Sequence, residues 1–411
     1  MAELPKELRD LKVAVGHDDL TVPYAGGEKI FMAIAETFPQ ADIFTSMITP
    51  GWANKISDLD KASNYSKNPS LRSGTFLSHE SEKDKRKIIT TFMQRIPFKR
   101  KLQKVLFCLY PLAFESLDLS DYDLVISSSS RFAHGVITKP ETKHVCYMHS
   151  PGRMFWESGS YFADSPNLER ILAPALSYLR LWDYTAAQRV DFFIANSKNI
   201  ARKIKRYYGR EAVVVYPFVD LERFEPSATF EVKEKNSGGL TSSGGYFLVV
   251  TRLAPWKRVE IAIEAAKQAE VSLKVVGRGP EFKRLRTLAK GSPKIEILGG
   301  VEDEELVKLY QNCTALVMTQ EEDFGITSLE AQACGRPVIA YGAGGALETV
   351  LSGKTGQFFA AQTADSLAAA LKGFNPSNYN PRDCRKNAER FSKKRFQQEL
   401  LEVVEEMVSI K

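Results

Sequence analysis

Short apolar segments alternate with segments of helical pattern along almost the whole chain. They form two series, separated by a polar stretch rich in Gly and Ser within residues 218–245. Such alternation is typical of a parallel sheet with helices on both faces, and the Gly/Ser-rich stretch indicates a linker. We predict strands at residues 11–16, 41–46, 123–128, 144–149, 191–197 and 213–217, and in the second series at 246–251, 272–277, 294–299, 315–319, 337–341 and 356–360.

The two series predict an α/β fold with two Rossmann-like, doubly wound parallel-sheet domains that face a cleft. We place the N-terminal domain at residues 1–218 and the C-terminal domain at 219–391, followed by an amphipathic helical segment at 392–411. The length of 411 residues allows two cores of normal size, and the hydrophobic fraction of 44% is that of a globular protein.

The ends of the chain and its cysteines lead us to expect a cytoplasmic protein. The first residues, MAELPKELRDLK, are polar and charged, unlike a signal peptide, and no apolar run is long enough to span a bilayer. The five cysteines are dispersed without metal-ligand spacing, which predicts reduced thiols.

Residues 321–340, EEDFGITSLEAQACGRPVIA, carry the strongest functional pattern. Glu322 and Glu330 lie eight positions apart, and a helix is predicted over 328–334. A helix N-terminus presents backbone N–H groups that favour a negatively charged ligand group. Glu330 would lie about one turn into this helix, where it can accept hydrogen bonds from sugar hydroxyls. The segment therefore predicts a site for a sugar joined to a nucleoside through a diphosphate.

The same string resembles the donor-site signature of retaining glycosyltransferases of family four, which have the GT-B fold. The shared features are two Glu residues separated by seven positions, FGI after the first Glu, and the GRPVIA segment. The resemblance implies that the final helix packs back on the N-terminal domain. It also implies that Glu330 holds the ribose and that the donor sugar is oriented by Glu322 and the backbone of Phe324, Gly325, Ile326 and Thr327.

Two cationic side chains directly follow the first strand of the second series. Arg252 and Lys257 stand where positive charge can hold a diphosphate. Their segment resembles the diphosphate motif of the family, from which Thr251 and Arg258 depart because the family often has Gly there. Gly277 opens a GRGP turn that resembles the family's nucleoside-side turn. A solvated basic loop and a plain strand-to-helix turn are the alternative interpretations.

The N-terminal half contributes candidates for the other side of the cleft. Gly26 and Gly27 precede a predicted helix, where backbone N–H groups can approach a phosphate or an acceptor. His149 ends a predicted strand, and the resemblance places it near the donor sugar, although most isolated histidines are structural. Arg153 lies in HSPGRMFW, which resembles polysaccharide mannosyltransferases of the family; it either meets an acceptor phosphate or braces its loop.

The resemblance implies a retaining transfer of mannose from GDP-mannose to a lipid-linked or glycan acceptor in surface polysaccharide assembly. UDP-glucose or another UDP-hexose is the alternative donor. A GT-B sugar-nucleotide epimerase, a phosphorylase and a non-catalytic nucleotide-binding module are the alternative classes. A dehydrogenase is disfavoured, because the first strand leads into GHDDLTVPYAGGEK rather than a GxGxxG turn.

We expect the chemistry to need neither a metal nor a cofactor beyond the nucleotide sugar. Asp121 and Asp123 form an Asp-x-Asp pattern, but they precede a predicted strand, which is the wrong end of a parallel sheet for a ligand site. Neither His nor Cys forms a cluster that indicates zinc.

A basic stretch within residues 83–112 suggests a membrane surface as a partner. Nine basic residues and one acid lie between Lys83 and Lys104, interleaved with apolar residues and followed by VLFCLYPLAF. This pattern predicts an amphipathic segment on an anionic membrane, at the inner face of the membrane. The alternative is a solvated helix face followed by a core helix. Nucleic acid is not expected, since no binding module is recognisable.

Overall fold

The computed structural model describes residues 4–21, 26–67, 86–97, 106–162, 165–227 and 245–409, with the backbone alone described at 60–67. These residues form two parallel sheets, one in each half of the chain. The predicted linker lies partly outside them, since 228–244 are not described.

The first sheet has seven strands in the order β3-β2-β1-β4-β5-β6-β7. Six of its strands match the predicted segments within a few residues, because these are the runs of apolar residues that both faces of a parallel sheet bury. The strands are β1 Val13–His17, β2 Asp42–Thr45, β3 Ile88–Thr90, β4 Leu124–Ser129, β5 Lys143–Met148, β6 Phe192–Ala195 and β7 Ala212–Val214.

The second sheet has six strands in the order β10-β9-β8-β11-β12-β13. All six correspond to predicted strands, and every described pairing in both sheets is parallel. The strands are β8 Phe247–Val250, β9 Leu273–Val276, β10 Ile295–Gly299, β11 Ala315–Met318, β12 Val338–Tyr341 and β13 Gly356–Phe359. The predicted fold class, two Rossmann-like parallel-sheet domains, is confirmed.

Helices cover the faces of both sheets. In the first half they are α1 Lys6–Arg9, α2 Gly26–Thr37, α3 Pro50–Lys67, α4 Tyr110–Glu115, α5 Arg153–Trp156, α6 Ser158–Tyr161, α7 Pro166–Arg189 and α8 Lys198–Tyr208. In the second half they are α9 Val259–Ala269, α10 Phe282–Leu288, α11 Asp303–Asn312, α12 Ile326–Ala333, α13 Ala346–Thr349, α14 Ala364–Lys372, α15 Pro381–Glu389 and α16 Lys393–Ser409. No described helix is both long enough and apolar enough to cross a membrane.

The last helix, α16, belongs to the core of the first half rather than that of the second. Phe396, Leu400 and Val404 are fully buried in the cluster that also contains Val15 and Phe31. The chain therefore returns to the first sheet after completing the second, and it crosses between the two halves twice.

The basic stretch at 83–112 is folded differently from the amphipathic segment predicted there. Ile88–Thr90 forms the edge strand β3, Phe92–Arg95 is a short 3-10 helix, and Met93 and Tyr110 are buried in the core. The prediction of one continuous amphipathic segment is wrong for these parts, because Ile88–Thr90 pairs with β2. Contact of the stretch with a membrane surface stays a prediction. Residues 83–85 and 98–105 of the stretch lie outside the described residues.

Strand order reverses at one point in each sheet, between β1 and β4 and between β8 and β11. In open α/β sheets, ligands bind in the crevice outside the carboxyl ends of the strands at such a point. The segments that follow these four strands therefore mark the expected site.

Candidate functional site

The turn before α12 is shaped by a glycine at its N-cap. Gly325 has a φ of 94°, and a Cβ there would lie 2.9 Å from Cε of Met318. A left-handed residue at this point turns the chain abruptly into the helix, which begins at Ile326, two residues earlier than predicted. The first backbone N–H groups of α12 have no partner within the helix, and they can serve an anion.

The first carboxylate of the predicted pair lies beside a predicted cation. Lys257 Nζ is 2.6 Å from Oε1 of Glu322, and both side chains are about 15% exposed. The amide of Gln320 also donates to this oxygen. Lys257 follows β8 and Glu322 follows β11, so the pair stands at the reversal point of the second sheet.

The second carboxylate is held from two directions. The Tyr310 hydroxyl donates to Oε2 of Glu330 at 2.8 Å, and Lys29 Nζ lies 4.0 Å from Oε1. Lys29 belongs to α2 of the N-terminal half, whereas Glu330 is buried in α12. Each carboxylate of the pair is thus opposed by a lysine, one from its own half and one from across the cleft.

The two glycines at the start of α2 lie against both sides of the cleft. A Cβ at Gly26 would lie 3.3 Å from Cδ1 of Ile326, and a Cβ at Gly27 would lie 4.0 Å from Nε2 of His149. The absence of side chains therefore lets the backbone of α2 approach both the ring of His149 and residues 322–327, the predicted donor loop.

His149 stands directly after β5, as predicted for a residue at the cleft edge. Its Nε2 is 2.7 Å from the Ser128 hydroxyl, and its carbonyl accepts a hydrogen bond from Asn196. Burial, and secondarily the neighbouring His17, lower the pKa of His149 to about 3. The ring is therefore neutral near pH 7 and can offer hydrogen bonds without a positive charge.

Arg153, a candidate for an acceptor phosphate, is paired across the cleft. Its guanidinium donates to Asp323, and Lys203 lies 3.2 Å from the same carboxylate. Burial opposes the ionisation of Asp323, but Arg153 and Lys203 outweigh it and hold its pKa below the usual range. Arg153 is therefore held in place by an ion pair across the cleft, and its contact with an acceptor phosphate stays a prediction.

Four other candidates lie at the edges of the site. Arg252 is exposed after β8, without a side-chain hydrogen bond or ion pair to the residues described. Gly277 has a φ of 150°, and a Cβ there would lie 1.8 Å from the Thr251 carbonyl oxygen. Its backbone therefore packs directly against the residue that precedes Arg252. The Phe324 side chain is buried against Tyr216, which leaves its backbone as the part that can face a ligand. Thr327 lies in the first turn of α12 and is half-buried.

Sequence reasoning missed the acidic residues that follow β1. Asp18 accepts hydrogen bonds from the backbone N–H groups of Ser130, Phe132 and Ala133, each at 2.7 Å. Asp19 accepts from the Tyr110 hydroxyl at 2.9 Å. Their position directly after the first strand of a doubly wound sheet was the available signal.

The Asp-x-Asp pattern lies at the end of the first sheet that is opposite the cleft. Asp123 precedes β4, and its side chain accepts a hydrogen bond from the Lys12 backbone at the end of the sheet opposite His149. Groups of three His, Cys, Asp or Glu residues suited to a metal ion do not occur within the described ranges. All five cysteines are free thiols, and four of them are buried.

Comparison with known protein families gives a match for each half of the chain. Residues 24–223 match the family described as Glycosyltransferase Family 4, and residues 231–391 match the family described as Glycosyl transferases group 1. Together the two matches include both sides of the cleft and the Glu322–Glu330 segment.

Curated relatives match parts of the chain. D-inositol 3-phosphate glycosyltransferase 2 of Catenulispora acidiphila is 30% identical over 48% of this chain and 51% of its own length. GDP-mannose-dependent alpha-(1-6)-phosphatidylinositol monomannoside mannosyltransferase of Mycolicibacterium smegmatis is 28% identical over 43% of this chain and 53% of its own length. The chain spans about half the length of the curated relatives it matches.

Solved structures match over nearly the whole chain. Sucrose-phosphate synthase from Thermosynechococcus elongatus superposes with a TM-score of 0.68 at 16% identity, covering 97% of this chain and 100% of that one. HepE from Anabaena, solved with UDP, has a TM-score of 0.63 at 18% identity, covering 96% and 100%. At these identities the likeness shows a shared fold.

Proposed function

Since this chain belongs to the GT-B glycosyltransferases with family 4 and group 1 domains, we propose that it is a retaining hexosyltransferase. The proposed reaction transfers mannose from GDP-mannose to a lipid-linked or glycan acceptor in surface polysaccharide assembly.

The observation that carries the proposal is the pairing of each motif carboxylate with a lysine beside the N-terminus of α12. Lys257 opposes Glu322 and Lys29 opposes Glu330, so the cleft holds balanced charge before a ligand enters. A nucleotide sugar brings a diphosphate, which can attract the lysines and the helix N–H groups while its ribose and hexose hydroxyls donate to the carboxylates.

In the proposed reaction, the acceptor oxygen forms a bond to the anomeric carbon as the bond from that carbon to the diphosphate breaks. The proton of the acceptor hydroxyl passes to the departing phosphate on the same face of the sugar. Lys257, Arg252 and the N–H groups of α12 stabilise the leaving diphosphate electrostatically. Glu322 orients the donor sugar, and neutral His149 lines its pocket without a positive charge that would oppose the oxocarbenium-like transition state. We expect this chemistry without a metal.

Mannose as the donor sugar is supported by HSPGRMFW around Arg153 and by the name of the mycobacterial relative, which uses GDP-mannose. A UDP-hexose is the second candidate, because HepE was solved with UDP-glucose. An epimerase remains a separate alternative; unlike a transferase, it would convert a nucleotide sugar when no acceptor is present.

We also propose that the enzyme works in the cytoplasm, attached peripherally to the inner face of the membrane through residues 83–112. The proposal rests on the basic residues of that stretch and on a lipid-linked acceptor. Sedimentation with liposomes tests it: anionic liposomes should retain the protein, and equal retention by neutral liposomes would contradict it.

A thermal-shift screen against GDP-, UDP-, ADP- and dTDP-sugars tests the donor. A ligand present at 100 times its Kd stabilises the folded protein by about 2.7 kcal/mol, so the preferred nucleotide should stand apart. We expect GDP-mannose to give the largest shift. If UDP-sugars shift the melting temperature and GDP-mannose does not, the mannose assignment is wrong. If none of the four classes shifts it, the site assignment itself fails.

A further inference from the structure

A cavity opens on the N-terminal side of the cleft, outside the residues assigned to the donor. It has a volume of about 150 Å³ and lies beyond the carboxyl ends of β1 and β4, at the reversal point of the first sheet. We call it the β1–β4 cavity, defined by Asp18, Asp19, Gly27, Glu28 and Arg131.

The β1–β4 cavity adjoins the predicted position of the donor sugar. Gly27 lines it, and a Cβ on that residue would lie 3.7 Å from His17 and 4.0 Å from the His149 ring. Because Gly27 has no side chain to block the way, a group bound in the cavity can reach the predicted sugar pocket beside His149.

Two carboxylates that line the cavity, those of Asp18 and Asp19, already accept hydrogen bonds from the protein. Asp18 accepts three backbone hydrogen bonds from the segment after β4. Asp19 accepts from Tyr110 and Ser46, and Arg131 lies 3.3 Å from it. The positive charge of Arg131 is thus offset within the wall, and these groups shape the cavity more than they bind a ligand.

Glu28 differs from both aspartates. It is only 9% exposed, it lines the cavity, and within the described ranges its carboxylate has neither a hydrogen bond nor an ion pair. Burying a carboxylate without hydrogen-bond donors costs several kcal/mol, so native proteins normally supply them. The lack of hydrogen-bond donors to Glu28 among the described residues points to a ligand that supplies these donors.

We propose that the β1–β4 cavity binds the acceptor through Glu28, and that it selects an uncharged polyhydroxyl ring over a phosphorylated one. This inference rests on the proposed glycosyl transfer. Hydroxyl groups supply the donors that Glu28 lacks. Among the described residues that line the cavity, a phosphate would meet three acidic side chains, Asp18, Asp19 and Glu28, and one cation, Arg131, so it would be repelled.

Saturation-transfer NMR with methyl α-mannopyranoside and its 6-phosphate tests the proposal, with GDP present to occupy the nucleotide site. The full-length wild type is compared with Glu28→Gln, with Arg131→Gln and with Glu141→Gln, whose exposed carboxylate lies in the same half. The amide of Glu28→Gln keeps the shape and removes the charge, so a purely structural role would leave the preference between the two ligands unchanged.

We expect wild type and Glu141→Gln to bind the uncharged glycoside at least tenfold more tightly than its 6-phosphate. Glu28→Gln should weaken binding of the glycoside and reduce that preference to below about threefold, whereas Arg131→Gln should widen it. Equal or tighter binding of the 6-phosphate by wild type, no glycoside binding at all, or an unchanged preference in Glu28→Gln would each overturn the proposal. The nucleotide-sugar melting screen reports separately on the proposed function, so the two can fail independently. If Glu28→Gln does not fold, Arg131→Gln alone tests the proposal: a wider preference for the uncharged glycoside supports it, and an unchanged or narrower preference overturns it.

Discussion

At the scale of single residues, the site is organised by charges that neutralise one another until a ligand arrives. Lys257 and Glu322 lie 2.6 Å apart, and both are mostly buried. Removing one partner of such a pair leaves the other with an uncompensated charge, which is more costly than losing both. We therefore expect Lys257 and Glu322 to stay paired while the site is empty and to separate only when a ligand offers each of them a new partner.

Lys257→Ala and Glu322→Ala should each reduce transfer at least 100-fold in kcat/KM. The lysine would stabilise the leaving diphosphate and the glutamate would orient the sugar, so each loss raises the barrier by about 2.7 kcal/mol. Steady-state kinetics with the preferred nucleotide sugar measures this. Lys308→Ala, at an exposed lysine of α11, is the control and should keep wild-type rates. Wild-type turnover in either site variant would remove both residues from the site.

The low pKa of His149 predicts a pH dependence of stability. The folded ring has a pKa of about 3, whereas an unfolded histidine titrates near 6.5. The unfolded state therefore gains a proton below pH 6.5 that the folded state refuses, and stability is lost as the pH falls toward 3.

Between pH 7 and pH 5, wild type should lose up to about 2 kcal/mol more unfolding free energy than His149→Asn, which has no titrating ring. Urea denaturation of both proteins at the two pH values measures the difference. Equal losses in the two proteins would mean that the ring is protonated as easily in the folded state as in the unfolded one.

At the scale of elements, the end of β9 packs closely against the segment that follows β8. Gly277 ends the β9 segment with a φ of 150°, and its backbone N–H donates to Gly299 of β10 at 2.7 Å. A side chain at Gly277 would collide with the Thr251 carbonyl oxygen, which directly precedes Arg252.

Gly277→Ala should destabilise the protein by at least about 2 kcal/mol, since the backbone conformation and the close carbonyl both exclude a Cβ. Gly159→Ala is the matched control: Gly159 lies in helix α6 with no atom within 4 Å of the added Cβ. That substitution should be neutral or slightly stabilising. Chemical denaturation of both variants provides the test, and similar stabilities would contradict the steric argument.

At the scale of the whole molecule, the two halves are joined by polar contacts beside the donor loop. Asp323 binds Arg153 and Lys203, and its carbonyl accepts a hydrogen bond from Ser197 at 2.7 Å. Glu348 accepts from the first backbone N–H groups of α8, at 2.8 and 2.9 Å. Because Asp323 directly follows Glu322, contact between the halves and the position of the Glu322 carboxylate are coupled.

Asp323→Asn should loosen this contact. Without the carboxylate charge, Arg153 and Lys203 repel each other near one neutral amide, and the α8 N–H groups held by Glu348 should exchange with solvent at least tenfold faster. Hydrogen-exchange mass spectrometry of residues 197–200 measures this. Glu211→Gln, which removes an exposed ion pair with Lys205, is the control and should leave exchange there unchanged. Unaltered exchange in Asp323→Asn would show that other contacts hold the halves together.

Much of the fold could be predicted because its signals are local. Twelve of the thirteen strands coincide with apolar runs in the printed sequence. The exception is β3, a three-residue edge strand inside a basic stretch, whose pairing with β2 depends on a partner more than 40 residues away. Short edge strands carry too few residues for a periodic pattern to identify them.

The sequence by itself determined twelve of the strands, the turn at Gly325 and the spacing of Glu322 and Glu330, because each depends on residues within a few positions of one another. Tertiary structure alone decided that Lys29 faces Glu330, that Arg153 pairs with Asp323, and that Glu28 lines a cavity with no hydrogen-bond partner among the described residues. Those outcomes join side chains that are far apart in the chain, as Arg153 and Asp323 are by 170 positions. Their electrostatic energies depend on distance and burial in space, which spacing along the chain does not encode.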